Sequence, residues 1–265
     1  MAYVIAVLIG ITIVAAAYLA RRPERPLRVE FDGAPDTPVG FGHDMTWIAV
    51  RARSPDRVAA ALGLDDLTKC NWSSGVASVY DRRLENQVVF ISPAVDGWVF
   101  IVARALPLPA SQGLEDRVSP LLDRLGTYFV DCQYFAVHPG VDTFAWVRRV
   151  NGVTARAFAV SDSERIWDHG RTGQEEKALG LQHFEMRGVA ERKGDVGGPI
   201  MLTPTVEHVL KIAARWSFDP TRLGALQRLP PAAGYVAPVP PQWRSTPRRI
   251  KRQAAGSVQR RSNAA

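Results

Sequence analysis

Residues 143–160 read TFAWVRRVNGVTARAFAV, and this stretch carries the strongest hairpin signal in the chain. Two runs rich in β-branched and aromatic residues flank the pair Asn151-Gly152. Asn and Gly both tolerate the positive φ angles of a two-residue hairpin turn. The stretch therefore predicts two antiparallel strands, 143–150 and 153–160, and favours a fold built on sheet.

The sequence on either side of this hairpin alternates between strand-like and helical patterns. Short runs of β-branched and aromatic residues predict further strands, and apolar residues at i, i+3, i+4 and i+7 predict helices. The predicted strands are 46–52, 75–80, 87–92, 97–103 and 128–137; the predicted helices are 57–64, 114–125, 174–179 and 203–216. The order β-α-β-β-β followed by α-β-β-β indicates an α+β domain with helices packed on an antiparallel sheet.

A local self-similarity suggests that the domain has two related αββ halves. A shift of 46 residues places QVVFISPAVD (87–96) on QYFAVHPGVD (133–142), matching Gln, Pro, Val and Asp. The helices that precede these segments align only with a different offset. Duplication is therefore one reading of the pattern, and a chance match over ten positions is the other.

The N-terminus predicts a membrane anchor. Residues 2–20 are uncharged and, at about 1.5 Å per residue, reach about 28 Å, the thickness of a bilayer core. Arginines follow this segment (Arg21, Arg22, Arg25 and Arg28) and none precedes it, which predicts an outside N-terminus and a cytoplasmic domain at the inner membrane. A cleaved signal peptide is the alternative, but it lacks the expected positive residues before the apolar run.

The amino-acid composition along the chain predicts the boundaries between its segments. Residues 1–20 are the predicted transmembrane anchor, 21–39 a Pro- and Arg-rich linker, 40–228 the α+β domain, and 229–265 a Pro-rich and then basic disordered tail. The formal net charge is +7, and the seven basic residues after position 243 have no acidic neighbours in the tail. The folded part is thus close to neutral, which argues against a specific nucleic-acid site.

The basic residues beside the anchor and in the tail are predicted to contact anionic lipid. They are Arg21, Arg22, Arg248, Arg249, Lys251 and Arg252. A tail that only improves solubility is the alternative. The PxxP spacing of Pro238 to Pro241 also fits a protein partner, although a Pro-rich spacer explains it as well.

No phosphate-binding glycine loop, Gly-x-Ser-x-Gly elbow, His-Glu-x-x-His helix or paired-cysteine motif occurs in the sequence. We therefore predict no cofactor and no metal site. Cys70 and Cys132 are predicted to be buried apolar residues, with a disulfide between them as the alternative for an oxidising compartment. A Cys132–His138 nucleophile pair is disfavoured, because six residues along a strand span about 20 Å.

Four polar residues on predicted loops are the candidate catalytic residues. His138 and Asp142 flank one turn, and His43 and Asp168 belong to His-Asp pairs before and after the strands. These side chains would form an acid–base cluster only if their loops met. Exposed loop polarity is the alternative explanation.

Several short segments resemble a group of uncharacterised bacterial membrane-anchored proteins with a single α+β domain. The resemblance covers residues 46–220 and rests on NWSSG (71–75), FISPAVDGW (90–98), QYF (133–135), Trp146 with Asn151-Gly152, RAF (156–158) and ARWSFDP (214–220). It implies a bacterial origin and one α+β domain, with no activity to transfer. We predict a membrane-anchored binding or interaction module; a membrane-anchored hydrolase is the alternative.

Overall fold

The computed structural model describes residues 29–84, 86–109, 115–162, 164–181, 204–226 and 229–243. The predicted anchor (1–20) and the first eight residues of the predicted linker (21–28) lie outside these residues, as do the basic residues of the tail. Among the described residues, no helix has the length and apolar character needed to cross a bilayer.

The described chain forms one nine-stranded antiparallel sheet with five helices, which confirms the predicted α+β class. The strands are β1 (Met45–Arg51), β2 (Thr68–Asn71), β3 (Val88–Ile91), β4 (Trp98–Val102), β5 (Asp131–His138), β6 (Thr143–Val150), β7 (Val153–Ser161), β8 (Glu164–Gly170) and β9 (Ala233–Pro238). The helices are α1 (Pro55–Leu62), α2 (Trp72–Tyr80), α3 (Val118–Gly126), α4 (Gln174–Ala178) and α5 (Val206–Trp216). The order across the sheet is β2-β9-β3-β4-β1-β5-β6-β7-β8.

The predicted hairpin of β6 and β7 is confirmed. Val150 pairs with Val153, and the turn residues Asn151 and Gly152 have φ angles of 50° and 75°. Both values lie in the left-handed region that a two-residue hairpin turn requires. The local sequence is thus sufficient to define this part of the sheet.

Helices cover both faces of the sheet, so its central strands are buried on both sides. Helices α1 and α3 pack on one face against aliphatic residues such as Ile48 and Val50. Helices α2 and α5 pack on the other face against an aromatic cluster that includes Trp47, Phe135 and Trp146. Burial on both faces explains why the central strands read as continuous apolar runs rather than as alternating ones.

The segment 75–80 was predicted to be a strand and instead belongs to helix α2. The Asn71 side chain caps this helix by accepting a hydrogen bond from the backbone N–H of Ser74 at 2.9 Å. The Asp36 carboxylate accepts two further N–H groups of the first turn, from Trp72 and Ser73. These caps satisfy donors that a helix start leaves unpaired and favour the helix over a strand.

The domain extends beyond both predicted boundaries. Residues 233–238, predicted to be disordered tail, form β9, which pairs with β2 on one side and β3 on the other. Trp243, at the end of a short 3-10 helix, is buried in the aliphatic core. At the other boundary Asp36, predicted to be linker, pairs with Ala232 just before β9.

The strand pairs of the two predicted αββ halves correspond to β3-β4 and β5-β6, but their side chains do not follow a common register. Phe90 of β3 and Ala136, its counterpart 46 residues later, lie on opposite faces of the sheet. Phe100 of β4 and its counterpart Trp146 lie on the same face. The two strand pairs thus differ in the faces of their side chains at equivalent positions, and duplication stays a prediction of the sequence.

Candidate functional site

The four predicted catalytic residues do not form one cluster. His138 ends β5, Asp142 lies in the turn that follows, and His43 precedes β1. Asp168 lies in β8, three strands from β5, which corresponds to about 14 Å at about 4.8 Å per strand. The order of strands keeps Asp168 away from His138, so the condition for an acid–base cluster, that the two loops meet, is not fulfilled.

The side chain that the fold brings to His138 is Asp44. Its Oδ1 lies 3.0 Å from His138 Nδ1, and Arg104 forms an ion pair with the same carboxylate. The Thr46 Oγ1 lies 2.8 Å from His138 Nε2. Since a carboxylate accepts hydrogen bonds only, the neutral imidazole donates from Nδ1 to Asp44 and accepts the Thr46 hydroxyl at Nε2.

This carboxylate–imidazole–hydroxyl order matches the relay that activates a hydroxyl nucleophile in hydrolases. Thr46, however, is fully buried in β1. The adjacent cleft of about 210 Å³ is lined by Asp44, Asn86, Arg104, His138, Gly140 and Val141, and not by Thr46. The Thr46 hydroxyl therefore connects β1 to β5 through its hydrogen bond with His138. It does not face an opening large enough for a substrate.

His138 gives the domain a predicted sensitivity to acid. Burial lowers the pKa of His138 below its usual 6.5, Asp44 opposes this shift, and the Arg104 charge adds to it. The unfolded chain then binds a proton at higher pH than the folded chain, so the free energy of unfolding falls as pH drops below about 6.5. Denaturant unfolding from about pH 7.5 to about pH 5.5 should show this slope, and His138→Gln should reduce it. An unchanged slope in the variant would assign the acid sensitivity to other groups.

Asp168 belongs to a buried ionic network with Arg156 and Glu176. Arg156 Nε donates to the two carboxylate oxygens of Glu176 at 2.8 and 2.9 Å, and Arg156 Nη1 donates to Asp168 Oδ1 at 2.6 Å. Glu176 also accepts from Trp146 Nε1 at 2.9 Å and from the N–H of Gly173 at 2.7 Å. All oxygens of Glu176 are occupied by these donors, so the network fixes α4 to the sheet rather than serving an acid–base reaction.

A larger open cleft lies at the opposite end of the sheet, where β1 ends. We call it the arginine cleft, because Arg51, Arg53 and Arg57 line it. Its volume is about 590 Å³, and Asp96 is the only acidic residue among the described residues that line it. Arg51 lies over the Trp98 ring at 5.3 Å from the ring centre. The side chains of Arg53 and Arg57 have no ion-pair partner within the described part of the chain.

The arginine cleft was not predicted from the sequence. The three arginines occur within seven residues, and this density was an available signal. The opposite wall comes from Tyr128, Phe129 and Val130, which precede β5. No sequence pattern links these residues to residues 51–57, because only the pairing of β1 with β5 brings them together.

The two cysteines are free and buried, so the disulfide alternative is wrong. Cys70 lies in β2 at one edge of the sheet and Cys132 in β5, with four strands between them. Burial raises the pKa of each thiol to about 12. Among the described residues, no group of three His, Cys, Asp or Glu side chains has the arrangement of a metal site.

Comparison with protein-family models, with curated proteins and with solved structures finds no match for this chain. The geometry of the arginine cleft and of the His138 cluster is therefore the basis on which a function is assigned.

Proposed function

We propose that the chain is a membrane-anchored binding module at the cytoplasmic face of a bacterial inner membrane, and that its α+β domain binds an anionic ligand in the arginine cleft. The observation that carries the proposal is an open cleft lined by three arginines and one carboxylate. Arg53 and Arg57 are exposed and have no ion-pair partner among the described residues, so they present their charge to solvent.

The chemistry of the cleft suits phosphate or carboxylate groups. A guanidinium offers planar pairs of N–H donors that match two oxygens of such a group. Arg51 is held over Trp98, so less conformational freedom is lost when it binds. The volume of about 590 Å³ falls within the range of about 300–1,000 Å³ that is common for small-molecule sites.

The sequence outside the described residues supports a position at the membrane. The apolar segment 2–20 has the length of a transmembrane helix, and the arginines that follow it favour a cytoplasmic domain. The basic residues 248–252 add a further contact for an anionic bilayer surface. A partner bound by such a module would be held close to the membrane.

Charge reversal in the cleft tests the proposal. In the full chain reconstituted in phosphatidylcholine nanodiscs, Arg53→Glu/Arg57→Glu should weaken the binding of pyrophosphate by about tenfold or more, because each charge-assisted contact contributes about 1.5–3 kcal/mol. Isothermal titration calorimetry measures this loss. Arg82→Glu/Arg215→Glu is the matched control, since both arginines are exposed and lie outside the cleft. Equal affinities for the two double variants would refute the cleft as the site.

The hydrolase alternative retains one supporting observation, the Asp44–His138 pair in the wall of a cleft of about 210 Å³. His138→Gln distinguishes the two functions. Loss of a hydrolytic activity in a variant that keeps its fold and its pyrophosphate affinity would favour the enzyme. Asp142 and Asp168 do not line this cleft, so their replacement should leave such an activity intact.

A further inference from the structure

Three exposed apolar side chains lie at the same end of the sheet as the arginine cleft. Seven large hydrophobic residues are exposed in the described part of the chain. Three of them are Tyr128, Val130 and Val153, with 60%, 62% and 68% of their surface exposed. Exposure this high at neighbouring positions creates an apolar patch on the surface. Such a patch is unfavourable in water and is stabilised by contact with an apolar environment.

The strand register shows that these residues and the arginines form one continuous surface. Val50 pairs with Cys132, so Arg51 and Ala52 continue β1 toward Asp131 and Val130. The N–H of Asn151 donates to the carbonyl of Val130 at 2.7 Å and joins the turn before Val153 to the same place. We call this surface the arginine end; it consists of the arginine cleft, which includes Tyr128 and Val130, together with Val153.

Asp36, near the start of the domain, also lies at the level of the arginine end. Ile91 pairs with both Tyr235 and Ile101, which sets the level of β9 against β4. Three residues further along each strand, Ala232 lies level with Trp98, and Trp98 pairs with Arg51. Asp36 pairs with Ala232, so it lies at this level too.

We propose that the arginine end is a membrane-contact surface, in which the arginines bind anionic lipid headgroups while Tyr128, Val130 and Val153 enter the interfacial layer of the bilayer. This inference rests on the proposed function and names its ligand as lipid. Each arginine near an anionic surface contributes about 1 kcal/mol, and apolar side chains beside basic ones are typical of surfaces that lie on a bilayer.

A lipid surface explains features of the arginine end that a small soluble anion does not. A free phosphate compound would occupy the arginines of the cleft and leave Val153, outside the cleft, exposed to water. A second copy of the same surface would oppose arginines to arginines, which is unfavourable. A bilayer with anionic headgroups satisfies the charges and the apolar side chains together.

Labelling of matched valines in the full chain tests the orientation of the domain. Val153→Cys lies at the arginine end, and Val141→Cys lies at the His138 end with a similar exposure of 60%. Each variant is labelled with an environment-sensitive fluorophore and reconstituted in nanodiscs of phosphatidylcholine and phosphatidylglycerol that contain brominated lipid. The native thiols should not react, because Cys70 and Cys132 are buried and their pKa values are raised to about 12.

The label at position 153 should lose most of its fluorescence to the brominated lipid, and the label at position 141 should lose none. Replacing phosphatidylglycerol with phosphatidylcholine, or introducing Arg53→Glu/Arg57→Glu, should abolish the quenching at position 153. Arg82→Glu/Arg215→Glu should leave it unchanged. Quenching at position 141 instead of position 153 would overturn the inference. So would quenching at position 153 that persists both without phosphatidylglycerol and in the Arg53→Glu/Arg57→Glu variant.

The pyrophosphate titration separates failure of this inference from failure of the proposed function. Cleft-dependent pyrophosphate binding without quenching at position 153 would mean that the cleft takes a soluble anion, so the lipid assignment fails and the binding module stands. Absence of both signals would reject the cleft altogether.

Discussion

Removal of residues 229–265 is expected to abolish folding of the domain, whereas removal of residues 244–265 is expected to leave its thermal midpoint unchanged. The longer deletion takes away β9, the strand between β2 and β3, so β2 loses the strand it pairs with. It also removes Val236, Val239 and Trp243 from the core, where each large apolar side chain contributes about 1.5–3 kcal/mol. A total stability of about 5–15 kcal/mol does not survive these combined losses.

Circular dichroism melts and size-exclusion chromatography of the two truncated chains measure this difference. A point variant, Gly234→Ala, tests the same strand without a deletion. A Cβ added at Gly234 would lie 2.1 Å from the carbonyl oxygen of Ile91, so this variant should push β9 away from β3. Gly140→Ala is the control, since no described atom lies within 4 Å of its added Cβ. A cooperative melt of the chain ending at residue 228 would contradict a structural role for β9.

The sequence did not predict β9 because its neighbours have the composition of a disordered segment. Pro230 and Pro231 precede the strand, and Pro238 ends it. Proline disfavours central strands except at their ends, and here only the last residue of β9 is proline. What stabilises β9 is its pairing with β2 and β3, more than 140 residues earlier, and such long-range pairing leaves no local sequence signal.

Helix α2 differs from β9, because the sequence does contain a helical pattern here. Residues 75–80 were nevertheless interpreted as a strand. Trp72, Val76 and Val79 are buried at i, i+4 and i+7, the spacing of one helical face. A window that begins at Gly75 leaves out Trp72 and shows only a β-branched run. Asn71 also stands at the position where a helix cap is expected.

The candidate sites divide in the same way between local and long-range information. The β6–β7 hairpin depended on two adjacent residues and was predicted with its correct bounds at the turn. His138 was identified as a candidate together with Asp142 in the same turn, and no contact between His138 and Asp44 was predicted. The actual partner, Asp44, is 94 residues away and reaches His138 only because β1 pairs with β5. The polar residue types therefore indicated where a candidate site lies, and the order of the strands determined which side chains are in contact there.

Breaking the buried Arg156–Glu176 pair is expected to destabilise the domain by about 3–5 kcal/mol, because the remaining charge stays buried without its partner. Arg156→Met leaves the fully buried carboxylate of Glu176 with only the Trp146 and Gly173 N–H groups. Glu176→Gln removes the negative charge and keeps a side-chain oxygen for those donors. Urea unfolding of each variant, with the circular dichroism of the sheet as signal, measures both losses.

The double variant Arg156→Met/Glu176→Gln decides whether the two residues act as a pair. Since it removes both charges, no buried charge is left without a partner, and the double variant should be less destabilised than the sum of the two single variants. Arg165→Met is the matched control: this half-exposed arginine lies 3.3 Å from Asp168, and its loss should cost about 1 kcal/mol or less. Additive losses at Arg156 and Glu176 would mean that α4 is held by the separate hydrogen bonds of Glu176 to Trp146 and Gly173, and not by the buried ion pair.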